Sequence, residues 1–165
     1  MRTFKEFMQE SSLSRIKSKS DKSGIATLSA DRGKLSRKEN QKRSQQLQKD
    51  IRGRFGRGPT KLKGSYIEKD EDTGKETKVK EKSFAIDRGK MGKRKFKKEV
   101  KKLGRKYGQD SVLTQTKKTA TLHATRKGGL GPKTKGVGVG KFRAQRKNPE
   151  GQSQIKGKVF SYGNN

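Results

Sequence analysis

The chain has 165 residues, of which 24% are hydrophobic, one is histidine and none is cysteine, so disulfides, thiolate chemistry and cysteine-based zinc sites are excluded. Lysine and arginine number 46 against 16 aspartate and glutamate, a formal net charge of +30 whose self-repulsion opposes compaction unless a polyanion offsets it. Double-stranded DNA is the partner this balance implies; a membrane is not, because no apolar run approaches the roughly 18 residues of a spanning helix.

Residues 1–10 place Phe4, Phe7 and Met8 in a one-turn apolar cluster, too short for a stable helix by itself. Glu6 and Glu10 interrupt any secretory signal pattern. The Ser- and Lys-rich stretch 11–23 has the makeup of a flexible linker. "GIATLSA" (24–30) alternates and predicts a strand. Ser36 and Glu39 then form an S-x-x-E helix start, and Leu47, Ile51 and Phe55 repeat every four residues up to the stop at "GRGP" (56–59). Two strand-compatible runs flank "EDTG" (71–74) and predict an antiparallel hairpin. Phe96, Val100, Leu103 and Tyr107 mark one apolar stripe on an otherwise basic helix. "SVLTQTKKTATLHATR" (111–126) predicts one or two further strands turning near Lys117 and Lys118, with His123 a strand residue. Residues 127–165 read as a Gly-rich basic arm with a last short strand at 158–162.

The expected fold class is therefore α+β. A small mixed or antiparallel sheet of split β-α-β type carries two helices on one face, after a flexible N-terminal segment and before the arm. The divisions are 1–10, 11–23, a domain at 24–126 and the arm at 127–165.

No motif assigns a reaction. "GVGVGKF" (136–142) fails as a phosphate loop, since Lys135 and Phe142 stand where that pattern needs Gly and Ser or Thr. Glu39, Glu68, Glu81 and Asp110 are the acids near element ends, with neither a His or Cys beside a nucleophile nor a dense acidic cluster for Mg²⁺. No catalytic residue, metal site, cofactor or enzymatic step is expected. The phosphate-facing candidates are Lys93, Arg94, Lys95, Lys97, Lys98, Lys101, Lys102, Arg105 and Lys106 on the basic helix, with Lys133, Lys135, Lys141, Arg143, Arg146 and Lys147 in the arm. Tyr66, Phe84, Phe142, Phe160 and Tyr162 are candidates for base stacking, with core packing the better reading for the first two.

Two resemblances add to this. "SA" (29–30), "LSRKENQKRSQQL" (35–47), "KGSYIE" (63–68), "EKSF" (81–84) and "KYGQDSVL" (106–113) resemble, in order, a small family of unknown function found in bacteria and tailed phages. That likeness singles out Asn40, Arg43, Glu81, Gln109 and Asp110 as polar positions that could converge at one sheet end or serve as caps and turn-fixing groups. "MRTFKEFMQE" is similar to the capsid-targeting peptide of internal head proteins of T-even-type myophages, which a prohead protease removes; the cut would fall between Glu10 and Ser11, and Phe4, Phe7 and Met8 would dock on the scaffold. The resulting expectation is a proteolytically processed internal virion protein, bound non-specifically to genomic DNA inside the phage head. It would stand in the host cytoplasm before assembly and again after injection. The alternatives are an injected inhibitor of a host defence enzyme, with a host protein as partner, and a basic RNA-binding protein.

Overall fold

The computed structural model describes residues 4–70, 72–130, 133–144, 146–148, 151–155 and 158–163, with side chains from residue 13 onward except at 144, 151 and 158. The elements are α1 (Phe4–Lys22), β1 (Ile25–Ser29), α2 (Arg37–Phe55), β2 (Thr60–Lys69), β3 (Glu76–Asp87), α3 (Lys93–Lys106), β4 (Ser111–Gln115), β5 (Ala120–Ala124), β6 (Gly136–Ala144), β7 (Gly151–Ile155) and β8 (Lys158–Gly163). All eight strands pair antiparallel in one closed barrel, in the order β1-β3-β2-β7-β8-β6-β5-β4.

Closure is made at β1, where Ile25 pairs with Asp87 of β3 on one side and Gln115 of β4 on the other. A closed sheet leaves no unpaired strand edge. Alternation then assigns the faces. Ala26 and Leu28 of β1, Phe84 and Ile86 of β3 and Val112 of β4 turn outward and pack with Leu47 and Ile51 of α2 and Phe96, Val100 and Leu103 of α3. The intervening Ile25 and Ala85 turn inward and meet Leu62, Ile155 and Phe160 together with Leu13 and Ile16 of α1. One end of the barrel is thus sealed by the first helix.

Local signals explain the helices. Ser36 and Glu39 form a reciprocal capping box at the start of α2, and Gly56 ends it in the left-handed region at φ 74°. Gly104 lets α3 lie close on the barrel, since a Cβ there would come within 2.7 Å of the Val112 and Thr125 side chains.

The expected split β-α-β sheet is corrected to a barrel. The error lay at the two ends of the chain. Residues 127–165 supply β6, β7 and β8, because Phe142, Phe160 and Tyr162 fall on inward positions and their rings meet at centroid distances of 5.0–6.2 Å. The flexible N-terminal segment is corrected too: it lies in α1, whose Leu13 and Ile16 are 5% and 1% exposed. Two widely spaced aliphatics among serines and lysines carry little helical pattern, and their burial comes from the barrel end they cover.

Ile16→Ala should therefore lower stability by about 2–5 kcal/mol in urea unfolding, the cost of a truncated core aliphatic. A linker residue would give no measurable change. Ser36→Ala should cost about 1 kcal/mol through the lost cap.

Candidate functional site

The inner half of the barrel away from α1 opens into a cavity of about 630 Å³, within the range of small-ligand sites. Lysine and arginine make up 46 of the 165 residues, yet among the described residues none that lines this cavity is a cation. The charged groups among these described residues are two carboxylates, Glu81 and Asp110. The remaining wall mixes Ser29, Ser83, Ser111 and Ser153 with Leu113, Leu122, Val139 and two tyrosines, Tyr66 and Tyr162.

Glu81 reaches the cavity because it shares the inward face of β3 with Ser83 and Ala85, and because its partner across the ladder, Gly64, sets no side chain over it. Among the described residues it makes no ion pair. Burial, with the nearby Asp31 carboxylate adding to it, pushes its pKa up to about 7 from an ordinary 4.5. Asp110 is held differently, by Arg126 at 2.7 Å on the exposed rim. Burial, then Glu81 and Glu68, raises the Tyr66 hydroxyl above its usual range, so at neutral pH it stays protonated. Burial does the same to Tyr162, whose hydroxyl donates to Gln115 Oε1.

The other polar positions singled out by sequence hold one segment, residues 30–32, at the point where β1 leaves the barrel. Asn40 accepts the Arg32 N–H at 2.9 Å and donates to its carbonyl at 3.0 Å. Arg43 donates to the carbonyls of Ala30 and Tyr107. Gln109 donates to the Asp31 carbonyl at 3.0 Å. Asp31 itself was not singled out: one acidic residue in a loop carries no pattern, and only its place beside "SA" (29–30) signals it.

The basic candidates lie elsewhere. Lys93, Arg94, Lys95, Lys97 and Lys98 are exposed on α3 and Lys101 is half-buried, while Lys102 pairs with Glu99, Lys106 with Asp50, and Arg105 donates to the Thr125 carbonyl. Lys133, Lys135, Lys141, Arg146 and Lys147 are exposed, and Arg143 donates to the Gly163 carbonyl across the β6–β8 ladder. The stacking candidates Phe84 and Phe160, each 2% exposed, cannot offer a face to a base. Phe142 packs against the interior cluster. His123 accepts or donates one bond to Thr114 at 2.7 Å, and among the described residues no group of three His, Cys, Asp or Glu side chains could hold a metal. The backbone at Phe4, Phe7, Met8, Glu10 and Ser11 lies inside α1, and their side chains fall outside the described residues.

A carboxyl group held protonated by the fold favours folding at low pH. The stability contributed by Glu81 should be fully present below about pH 4.5 and lost as pH rises through about 7. Glu81→Gln should abolish that part of the dependence, read as the urea midpoint across the same range; an unchanged pH profile would place Glu81 in an ordinary solvated environment.

The sequence model of the S-adenosylmethionine lyase family matches residues 26–163, running through the three C-terminal strands as well as the domain first delimited. No curated protein matches the chain. Lyases are enzymes, so the expectation of a chain without an enzymatic step is overturned, and with it the expectation of a DNA-bound internal virion protein. Nothing in the comparisons supports a capsid-targeting peptide or proteolytic processing at residues 1–10, which lie before the match. The feature that sequence reasoning missed is the lack of cations among the described residues that line the lumen, which becomes visible only once eight strands are closed. The match spans most of the chain and includes the strands that carry Glu81 and the tyrosines, and the chain belongs to the S-adenosylmethionine lyase family.

Proposed function

We propose that the protein cleaves a carbon–sulfur bond of S-adenosylmethionine inside the barrel lumen. The observation that carries this is the charge of the cavity: in a chain of +30, the described residues that line the pocket include carboxylates and no cation, which suits a substrate bearing a sulfonium and an ammonium group. The volume of about 630 Å³ accommodates a nucleoside-sized molecule, with Tyr66, Leu113 and Leu122 available to its apolar surface and the serines to its hydroxyls.

In such a cleavage no water and no redox partner is consumed. As the carbon–sulfur bond breaks, sulfur keeps its electron pair and departs as a neutral thioether, while a carboxylate oxygen of the same substrate molecule forms the new bond to the carbon it leaves and closes a lactone, with partial positive charge on that carbon in the transition state. The ionised Glu81 faces that charge from a water-poor wall, where a fixed carboxylate acts more strongly than in solvent. Removal of the methyl donor fits the alternative of a protein that disarms host defence enzymes better than it fits a structural role beside the genome, and it requires no contact with the enzyme disarmed.

Incubation of the purified full chain with S-adenosylmethionine, followed by mass spectrometry, should show loss of substrate and appearance of a thioether. Glu81→Gln should lower kcat/KM by about 10²–10³-fold, as for loss of one preorganised charge-stabilising group. In the wild type kcat/KM should rise with pH through about 7, following ionisation of Glu81. Intact substrate after incubation with folded wild-type chain would refute the reading.

A further inference from the structure

We propose that Asp31 is the positioning residue of this site: its carboxylate clamps the Glu81–Lys82 peptide and presents a second negative charge alongside Glu81. The inference rests on the lyase reading for its effect on turnover, while its geometric part stands by itself.

The clamp is built from the end of β1. Asp31 Oδ2 accepts the Lys82 N–H at 2.8 Å, and Ser29 Oγ donates to the Lys82 carbonyl at 2.5 Å. Both polar groups of the residue following Glu81 are therefore taken by two side chains of one short segment. β1 stops pairing with β3 at the Ser29–Ser83 step, so without these contacts the next backbone groups along β3 would lose their partners on this side. Asp31 is in turn fixed from three directions. Its N–H donates to Ser29 Oγ at 3.0 Å, its carbonyl accepts Gln109 at 3.0 Å, and the flanking residues 30 and 32 are held by Arg43 and Asn40. A surface aspartate serving only solubility would not need this scaffold.

Asp31 and Glu81 also line one shallow depression on the barrel wall. The charged and titratable groups near Glu81 are Asp31 beyond β1, Lys63 and Tyr66 on β2, Lys78, Lys80 and Lys82 on β3 itself, and Asp110 at the cavity rim. The four lysines are solvent-exposed, which weakens their hold on Glu81, and Asp110 is paired with Arg126. Asp31 is the neighbouring charge that acts on Glu81, adding to the effect of burial in keeping its proton on until about pH 7. A carboxylate tuned to ionise near neutrality switches between a neutral and a cation-binding form within the working range of an enzyme.

The test is the titration of Glu81 itself, followed by carboxyl-carbon NMR in the full chain, with Glu81→Gln identifying its resonance. In Asp31→Asn, which keeps an oxygen for the Lys82 N–H, the midpoint should fall by about one pH unit as the like charge is removed. Ser29→Ala, which loosens the same strand and keeps the Asp31 charge, should leave the midpoint near the wild-type value. In turnover, a midpoint lowered by one unit raises the ionised share of Glu81 at pH 6 by about fivefold, and kcat/KM relative to its plateau should rise equally. If Asp31→Asn does not fold, Asp31→Ser retains an acceptor and carries the same measurement. An unmoved midpoint, or equal shifts in the Ser29 and Asp31 variants, would overturn the proposal. A wild-type chain that leaves S-adenosylmethionine intact would sink the lyase reading, while the NMR titration would still decide the role of Asp31.

Discussion

Closure of the sheet at β1 is the constraint on which everything else depends. With only 24% hydrophobic residues, the chain cannot build a broad layered core, and a net charge of +30 works against any compact state. A barrel meets both problems at once. Every strand edge is paired, so backbone hydrogen bonding is completed without a second sheet, and the small supply of apolar side chains is divided between two compact clusters. The outer cluster sits beneath α2 and α3. The inner one fills a single end of the lumen, where α1 contributes Leu13 and Ile16. The opposite end is open, its wall mixing serines and carboxylates with Leu113, Leu122 and Val139, and an eight-stranded barrel is wide enough there for one small ligand.

The same closure sorts charge. Lysines and arginines on strands alternate with inward positions, so a barrel wall turns them to solvent, and among the described residues none lines the lumen cavity. Glu81 is then desolvated, with the Asp31 carboxylate beside it, and raised toward neutrality. The polar residues around 30–32 serve this arrangement from outside the cavity. Asn40 and Arg43 come from α2 and Gln109 from the turn after α3, so the two outer helices are tied to the strand segment that steadies β3. Packing of the helices and placement of Glu81 are parts of one network.

Much of this was legible in the residues. The capping box at Ser36, the stripe Phe96–Val100–Leu103, the hairpin around residues 70–75 and the strands at 111–126 follow from patterns spanning a few residues, and such local patterns determine local structure. What escaped was non-local. The sequence 136–140, with Gly at alternate positions, reads as a loose arm unless β5 lies beside it and β8 continues the ladder from Lys141, and α1 reads as a linker unless there is a barrel end to cover. The site was half legible: Glu81 and Asp110 stood out as motif carboxylates, but no local pattern shows that the described lining around them lacks cations, since it is drawn from all eight strands and two connecting segments.

The excess of positive charge needs no separate anionic partner to be compatible with a cationic substrate. At physiological ionic strength the Debye length is about 8 Å, so exposed lysines on the outer wall are screened before their field crosses into the cavity, whereas groups sharing the desolvated interior are screened far less. A sulfonium entering the lumen would therefore experience chiefly the carboxylates and hydroxyls it meets there. Charge on the outside of the barrel and charge selection within it are separable properties. A reading built on the total of +30 describes the first and misses the second, because net charge is a sum over the whole chain and recognition is decided by the few side chains that face the substrate.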